Sequence, residues 1–452
     1  MAQLIRRLLK LRREGQLSVG FFIYVFCSSL SACCMRLGMS AFSCWLAKRA
    51  QAGRLSEVGV FHYRSVASWV EIHGEAQEVY PRRALTLNAV RRVGFKCKRT
   101  NLHSHTHSLA LPSVSLNTLR HVEIVGGSEM VFTPEGTVLY DELALGDVNR
   151  YGAKAFAIVP HGFFPPYFPA ATKDFLQCLY HWPARPIEIP RAVSLLKDHS
   201  RNYYHWLLEC LPRAILALRQ PGWIDVPLLI DTDLPAQFIE SLRLLSSASK
   251  HIAVPQGLRL PVQELYFPSV MSPTHDYYGR APRAEDFLIA PEAIALLRES
   301  FLSHVPSTLN DMQQCIYIAR SGGTHRSITN ELKVISTLEK MGFVIVYPGK
   351  LSFVEQIATF ANAKIIVGPT GAGMANIVFA KPDCKIAILA AATCNANYYL
   401  FAQLAQYAGQ QIVYVGGKPS VPADLHSHFL ADVDALKRLI EEWLLEEAVR
   451  DE

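Results

Sequence analysis

The chain has 452 residues, of which 50% are hydrophobic and 19% are charged, and its formal net charge is +6. This length exceeds what one ordinary core accommodates, and the composition excludes a disordered protein. The mild positive charge suits an anionic small ligand or membrane surface and is too weak to indicate nucleic-acid binding.

The first 50 residues join a basic stretch to an apolar one. Five Lys or Arg residues lie between Arg6 and Arg13, and an uncharged run extends from Gln16 to Met35. A run of about 20 residues is long enough to span a bilayer, and the basic flank would stay inside. A signal peptide, an amphipathic helix on the membrane surface and a helical pair packed on the protein body are the competing interpretations. We expect residues 1–50 to contact a membrane.

Residues 51–190 predict a β-rich region. Between His121 and Tyr140, short apolar runs alternate with turn residues, which is the pattern of successive hairpins. Alternate histidines at 103, 105 and 107 could share one face of a strand and hold a metal. However, no second ligand cluster lies nearby in the sequence, so a polar loop is the preferred interpretation and we predict no metal site.

From residue 191 the pattern becomes α/β. In the first unit, 191–305, helices are predicted over 202–218, 236–246 and 291–304, and strands over 226–230, 251–254 and 264–267. In the second unit, 306–420, strands are predicted over 315–319, 343–347, 364–367, 385–389 and 411–415, with helices between them. Such alternation predicts a doubly wound parallel sheet, whose ligands bind beyond the carboxyl ends of the strands. Residues 421–452 predict a C-terminal helix.

A helix in the first unit carries a histidine and a carboxylate one turn apart, His205 and Glu209. The carboxylate could orient the ring while the ring takes a proton from a hydroxyl group. The alternative is a histidine that lies in the core, makes its hydrogen bonds within the protein and has no catalytic role. Asp231-Thr232-Asp233 follows a strand and precedes Leu234-Pro235, so we interpret it as a turn and helix cap rather than a metal site.

Two arginines, Arg320 and Arg326, bracket Gly322-Gly323 between a strand and a helix that Thr329 or Asn330 could cap. Guanidinium groups grip phosphate oxygens bidentately and stay charged. The arginines could therefore hold a diphosphate. Surface ion pairing with Glu331 is the alternative.

A glycine loop, G-x-x-G-x-G, runs from Gly368 to Gly373 after an apolar strand. Glycines at a strand-to-helix turn let a ligand approach the backbone, and the helix start offers N–H groups to phosphate. The glycine order differs from the dinucleotide fingerprint, and no Walker-type Lys follows. A tight helix–sheet crossing that needs only small residues is the alternative.

These three blocks resemble, in order and spacing, those of glycosyltransferase family 61, which includes capsular-polysaccharide biosynthesis and xylosyltransferase-like proteins. The resemblance covers roughly residues 192–417. It implies a GT-B fold of two Rossmann-like lobes with a β-rich N-terminal extension. It also implies an inverting mechanism, which needs neither a metal nor another cofactor, and a nucleotide-sugar donor, expected to be UDP-linked.

His205, with Glu209 as its partner or itself the base, is the catalytic hypothesis in the first lobe, because the two residues lie one helical turn apart. Many relatives carry histidine where this chain has Thr370. The resemblance assigns further residues to each lobe. On the acceptor side lie Asp198, His199, Tyr204, Trp206 and Arg213, and on the donor side Arg320, Arg326, Asn330, Glu331, Gly368, Thr370, Gly371, Ala372, Gly373 and Asn376.

Two other functions stay open from the sequence: a sugar-nucleotide epimerase on the same fold, and a non-catalytic saccharide-binding protein. The acceptor implied by the resemblance is a saccharide or glycan. The ten cysteines show no C-x-x-C pair, so free thiols in a reducing compartment are expected. We therefore expect a cytoplasmic enzyme at the inner membrane, with a single-pass type II protein bearing a lumenal catalytic domain as the alternative.

Overall fold

A computed structural model describes residue 45 and residues 57–73, 75–94, 106–141, 156–157, 175–180, 187–247, 250–274, 281–305, 314–320, 326–393, 397–422, 424 and 427–450. Apart from residue 45, the N-terminal segment expected to contact a membrane lies outside these ranges, as do His103 and His105. None of the helices within the ranges has both the length and the apolar character needed to cross a bilayer.

The N-terminal region is built mainly of strands. Antiparallel pairing of β6 with β7 and of β7 with β8 confirms the hairpins predicted between His121 and Tyr140. The elements are β1 Glu57–Arg64, α1 Val66–His73, β2 Glu75–Tyr80, β3 Arg83–Leu87, β4 Arg91–Val93, β5 His107–Leu111, β6 Val114–Val125, β7 Val131–Phe132, β8 Thr137–Leu139, β9 Phe156–Ala157 and β10 Phe175–Tyr180.

A first group of parallel strands follows, in the spatial order β13-β12-β11-β14. Strand β14 pairs antiparallel with β6 along nearly its whole length, so the sheet continues into the N-terminal region. The elements are β11 Ile189–Ser194, α2 in three parts (Tyr203–His205, π-helical Trp206–Cys210 and Leu211–Leu218), β12 Leu228–Asp231, α3 Ala236–Leu245, β13 His251–Val254 and β14 Arg259–Pro268.

The second sheet has the order β16-β15-β17-β18-β19-β20. All neighbours from β16 to β19 are parallel, β20 is antiparallel, and β4 adds to β19. Its elements are α4 Pro291–Phe301, β15 Gln314–Ile318, α5 Glu331–Glu339, β16 Val344–Val346, α6 Phe353–Ala361, β17 Ala363–Pro369, a 3₁₀ helix Ala372–Phe379, β18 Lys385–Ala391, α7 Tyr399–Tyr407, β19 Gln411–Pro419, β20 Phe429–Ala431 and α8 Val433–Arg450. Shorter 3₁₀ turns are Ala284–Asp286, Leu302–His304 and Pro348–Lys350.

The local sequence explains why these elements form. Strand β18 is buried at all seven positions, as a central parallel strand covered on both faces must be. At the start of α6, Ser352 Oγ accepts from Glu355 N and Ser352 N donates to Glu355 Oε2, which is a capping box. Parallel strands with intervening helices confirm the predicted α/β class.

Helices from the two sheets share one hydrophobic core, which contains Trp206 of α2, Phe353 of α6 and Val378 of the 3₁₀ helix. Polar contacts cross the same layer. Phe353 N donates to Glu240 Oε2 at 2.8 Å, and Arg298 Nη1 donates to Ala380 O at 2.8 Å. Helices that follow strands of both sheets therefore pack together in one layer.

Candidate functional site

A cavity of about 200 Å³ opens at the carboxyl edge of the second sheet. The chain passes from β15 to β16 on one side and places β17 on the other side of β15, so connections diverge there. Ligands of open α/β sheets bind at such a switch point. The cavity is lined by Ile318, Ala319, Arg320, Tyr347, Pro348, Gly349, Pro369, Gly371, Gly373 and Met374.

Arg320 and the glycine loop meet in this cavity. A Cβ built on Gly371 would lie 3.5 Å from Arg320 Cζ, and one on Gly373 would lie 3.7 Å from Pro348 Cγ. Glycine at both positions keeps backbone and guanidinium accessible in the same space. The 3₁₀ helix begins directly after Gly371, and the first N–H groups of a helix have no partner within it. The cavity thus combines a cation with backbone donors, which suits an anion.

Arg320 is half-buried. Burial lowers the pKa of its guanidinium, and the neighbouring Glu331 acts in the opposite direction. An arginine keeps its charge through such shifts because its ordinary pKa is so high. Arg320 Nη1 also donates to the carbonyl of Arg326 at 3.5 Å, and Arg326 has a left-handed backbone with φ 56°. The two predicted arginines are therefore neighbours, although only Arg320 lines the cavity.

The polar residues after Arg326 bind the protein itself. Asn330 exchanges two hydrogen bonds with the backbone of Ala431, at 3.0 and 2.9 Å, instead of capping α5 with its side chain. Glu331 Oε1 accepts from Tyr317 OH at 2.9 Å. These bonds fasten the start of α5 to β15 and β20, so the structure gives Asn330 and Glu331 anchoring contacts.

Within the glycine loop, the positions differ in their surroundings. A Cβ on Gly368 would come within 2.6 Å of Met374 Sδ and 2.9 Å of Ile318 Cβ, so this glycine serves close packing. Thr370 is buried and its N–H donates to Leu389 O at 2.9 Å. Ala372 is half-buried at the start of the 3₁₀ helix. The packing alternative therefore describes Gly368, whereas Gly371 and Gly373 face the cavity.

The predicted catalytic pair lies on α2, after the carboxyl end of β11, where β12 and β14 flank that strand. His205 Nδ1 is 2.9 Å from Glu209 Oε1. Burial alone would raise the pKa of Glu209, but His205 and Lys197, with hydrogen bonds from His205 and Thr274, lower it to about 2. Nδ1 faces the ionised Glu209, so a neutral His205 that donates its Nδ1–H to this carboxylate keeps Nε2 as a proton acceptor.

A π-helical turn from Trp206 to Cys210 gives this part of α2 its shape. Leu211 N donates to Trp206 O, five residues back. Pro212 follows at once; it has no N–H and in an α-helix its ring would crowd the carbonyl of Leu208. The wider turn accommodates the proline while His205 and Glu209 stay in contact.

Two of the residues predicted on the acceptor side, His199 and Tyr204, lie beside His205, and a third, Asp198, directly precedes His199. The ring centroids of His199 and Tyr204 lie 5.5 and 5.3 Å from that of His205. Tyr204 OH is 3.3 Å from Thr274 Oγ1, and Asp198 Oδ2 accepts from Tyr140 OH at 3.2 Å. Burial raises the pKa of Asp198 to about 7. His199 is exposed and has a left-handed backbone, a strained conformation that often accompanies functional sites.

The other two, Trp206 and Arg213, are buried in the core. Trp206 Nε1 donates to Ser241 Oγ at 3.0 Å and the indole stacks on Phe238. Arg213 donates to the carbonyls of Pro268 and Leu196, at 2.9 and 3.3 Å, and so ties the ends of β11 and β14 together. Their contacts fix the position of α2, the helix that carries His205 and Glu209.

A polar bridge connects α2 to the glycine loop. Tyr203 OH donates to Asn376 Oδ1 at 2.5 Å, and Asn376 Nδ2 donates to Gln356 Oε1 at 2.9 Å. Burial raises the pKa of Tyr203, so its phenol stays a donor. The structure thus brings the His205 turn against the helix that follows Gly371. Asn376 takes part in this bridge and does not line the cavity.

Sequence reasoning missed two charged residues beside the pair. Lys197 Nζ lies 3.0 Å from Glu129 Oε2 and 3.7 Å from Glu209 Oε2, and these three side chains are at most 5% exposed. For Lys197 the sequence did contain a signal, because this lysine directly follows the apolar run Val193-Ser194-Leu195-Leu196. Glu129 lies 68 to 80 positions earlier in the chain than its two partners, a distance that no local pattern spans.

The Asp231–Asp233 segment forms the predicted turn. Asp231 accepts from Gly127 N and Ser200 Oγ, both at 2.5 Å, and Asp233 pairs with Arg201 at 3.0 Å. The predicted helix cap is wrong, because α3 begins after Pro235 without a side-chain cap. Among the residues that the structure describes, no group of three or more His, Cys, Asp or Glu side chains could hold a metal ion.

Residues 203–387 match the family model described as Glycosyltransferase 61. The matched stretch contains the His205–Glu209 pair, both arginines and the glycine loop. No curated protein matches the chain significantly.

Proposed function

Because residues 203–387 match the family model described as Glycosyltransferase 61, we propose that the chain is an enzyme of this family and transfers a sugar, with inversion, from a nucleotide-sugar donor to a hydroxyl group of a saccharide acceptor. The observation that carries this proposal is the cavity at the switch point of the second sheet, where Arg320 faces Gly371. The match to the family model supports glycosyl transfer, and the cavity supports an anionic donor.

The donor diphosphate is proposed to bind in this cavity. As the bond between the sugar C1 and the phosphate oxygen breaks, the nucleoside diphosphate leaves with the electron pair. Arg320 and the N–H groups at the start of the 3₁₀ helix are preorganised to stabilise that charge. This arrangement supplies locally the positive charge that a metal ion supplies in other sites, so the proposed mechanism needs no metal. We expect a UDP-linked sugar.

His205 is proposed as the general base. Its Nε2 takes the proton of the acceptor hydroxyl while the oxygen attacks C1 from the face opposite the leaving group, and one displacement inverts the anomeric centre. Glu209, 2.9 Å from Nδ1, orients the ring and stabilises the imidazolium. Tyr203 and Asn376 connect this base to the donor cavity.

In this proposal the two parallel sheets act as GT-B lobes, the first for the acceptor and the second for the donor. We further propose a role in polysaccharide or glycan biosynthesis, with the enzyme on the cytoplasmic side of a membrane.

The test is calorimetry of the purified chain against UDP-, GDP- and CMP-sugars, followed by product analysis with saccharide acceptors. We expect one nucleotide class to bind and the product to show the inverted anomeric configuration by NMR. Absence of donor binding across the panel would contradict the proposal. Incubation with donor alone separates an epimerase, because net formation of an epimerised sugar nucleotide would exclude transfer as the main activity.

A further inference from the structure

We propose that the buried Lys197–Glu129 pair positions the candidate base: the Lys197 ammonium group holds one oxygen of Glu209, so that the other oxygen orients the His205 ring. The inference rests on the proposed function, because it concerns the same base. It adds two positioning residues, neither of which is expected to touch a substrate.

The three charged groups come from separate elements. Lys197 follows the carboxyl end of β11, Glu209 lies in the π-helical turn of α2, and Glu129 lies between β6 and β7. Lys197 Nζ is 3.0 Å from Glu129 Oε2 and 3.7 Å from Glu209 Oε2, while Glu209 Oε1 is 2.9 Å from His205 Nδ1. The lysine and the histidine thus contact opposite oxygens of one carboxylate.

The charge balance explains what this arrangement does. Lys197 lies between the carboxylates of Glu129 and Glu209, and His205 contacts the Glu209 carboxylate. The buried Arg213 also acts on both carboxylates. Burying such ions is unfavourable, and apolar residues of similar size often give a more stable protein. The Glu209 carboxylate favours the imidazolium that forms when His205 takes a proton, whereas Lys197 opposes this effect.

Other ionisable groups also act on the pair or its neighbours. Thr274 donates a hydrogen bond to Glu209. Tyr204 adjoins both members, and its own pKa is raised by burial and then by Glu209. His199 faces His205 from the β11–α2 loop. Further ionisable groups near the pair, among the residues that the structure describes, are Asp141, Asp198, Asp231, Cys210 and Arg213. All of them remain in place in the variants below, so those variants isolate Lys197 and Glu129.

The direction of each effect follows from charge. Lys197→Met removes a buried cation, so the His205–Glu209 unit binds a proton more easily, whichever member carries it. We expect the acid limb of the kcat profile to move up by about one pH unit and kcat near neutral pH to fall about tenfold. Glu129→Gln removes an anion and should move the acid limb in the opposite direction. The double variant should return close to the wild-type profile.

The chain offers a matched control in Lys385, which is also buried and pairs with Glu446 and Glu447 at 2.9 and 2.8 Å. It is the first residue of β18, at the edge of the second sheet opposite the cavity. Lys385→Met should lower thermal stability and leave the acid limb unchanged. If Lys197→Met does not fold, Glu129→Gln and the double variant still give a signed result.

A second readout needs no turnover. In enzyme labelled with ¹⁵N-histidine, the His205 ring is assigned by difference against His205→Gln. We expect the Nδ1–H tautomer in the wild type and an upward shift of the titration midpoint in Lys197→Met. Failure of glycosyl transfer by the wild type would overturn the proposed function and leave this measurement valid. Unchanged midpoints in Lys197→Met and Glu129→Gln, or equal shifts in Lys385→Met, would overturn the positioning role.

Discussion

The two groups of parallel strands, one in each sheet, differ in what occupies the space beyond their carboxyl ends. At the second sheet the ends of β15, β16 and β17 leave an open cavity, with Arg320 above a bare glycine backbone. At the first sheet the ends of β11 and β14 are filled by buried side chains, among them Glu209, Lys197 and Arg213. An open crevice with fixed donors suits binding of an anion, whereas a buried charge network suits control of one proton.

We therefore expect substitutions at the two edges to change different kinetic quantities. Variants at the second sheet should weaken donor binding. Variants at the first sheet should slow the chemical step and leave donor affinity intact, because His205 and Glu209 contribute nothing to the cavity wall.

The largest effect is expected for His205→Gln. Loss of a general base costs about 10²- to 10⁴-fold in kcat. Calorimetry should show a donor affinity within about twofold of the wild type, because His205 does not line the donor cavity and its loss affects the chemical step. His251→Gln, an exposed histidine on β13 of the same sheet, is the control and should keep full activity. Full turnover in a folded His205→Gln variant would contradict the assignment of the base.

Arg320→Ala should be next, with a loss of about 10²- to 10³-fold in kcat/KM and weaker donor binding, because a fixed cation at the cavity is removed. Arg320→Lys keeps the charge but not the bidentate fork, and should recover only part of the loss. Arg91→Ala on β4 is the control, since its exposed ion pair with Glu442 lies on the same sheet outside the cavity. Unaltered donor affinity in Arg320→Ala would contradict a donor site here.

The two loop glycines should respond differently to a single methyl group. Gly368→Ala forces a Cβ to within 2.6 Å of Met374 Sδ, so overpacking should lower the free energy of unfolding by about 1–3 kcal/mol. Gly371→Ala meets only ordinary contact with Arg320, and its φ of 170° is open to any residue. It should fold normally and weaken donor binding several-fold. Urea unfolding and calorimetry on both variants test this, and the reverse pattern would contradict the assigned roles.

The smallest effect concerns the pH dependence of stability. Asp198 has a folded-state pKa raised from 3.8 to about 7, so its contribution is present at low pH and is lost as pH rises through about 7. Glu209 has a pKa lowered to about 2, so its contribution is present above its ordinary 4.5 and is lost as pH falls toward 2. Asp198→Asn should flatten the decline between about pH 4 and 7.

Glu209→Gln should leave that decline in place and remove part of the loss at lower pH. Urea unfolding of both variants across the range gives the slopes. A decline as steep in Asp198→Asn as in the wild type would show that another group causes it.

The second sheet was predictable because its signals are local. Parallel strands covered on both faces appear as apolar runs, and β17 and β18 lie where such runs occur. The capping box at the start of α6 is likewise local, because Ser352 and Glu355 lie three residues apart. The four-residue spacing on a helix predicted the contact between His205 and Glu209. The contact is present although this part of α2 is a π-helical turn.

The remainder depends on contacts distant in the chain. The pairing of β14 with β6 joins residues more than 130 positions apart, so no local pattern reveals it. The same is true of the bond from Tyr203 to Asn376 and of Glu129 beside Lys197. Gly368 and Gly371 look alike in sequence, and only their neighbours distinguish packing from access.

A structure of the chain with a nucleoside diphosphate bound would locate the donor site directly. We expect the diphosphate in the second-sheet cavity, with oxygens accepting from the Arg320 guanidinium and from backbone N–H groups at Gly371–Gly373. A diphosphate bound elsewhere, with Arg320 and these amides making no contact to it, would show that this cavity is not the donor site.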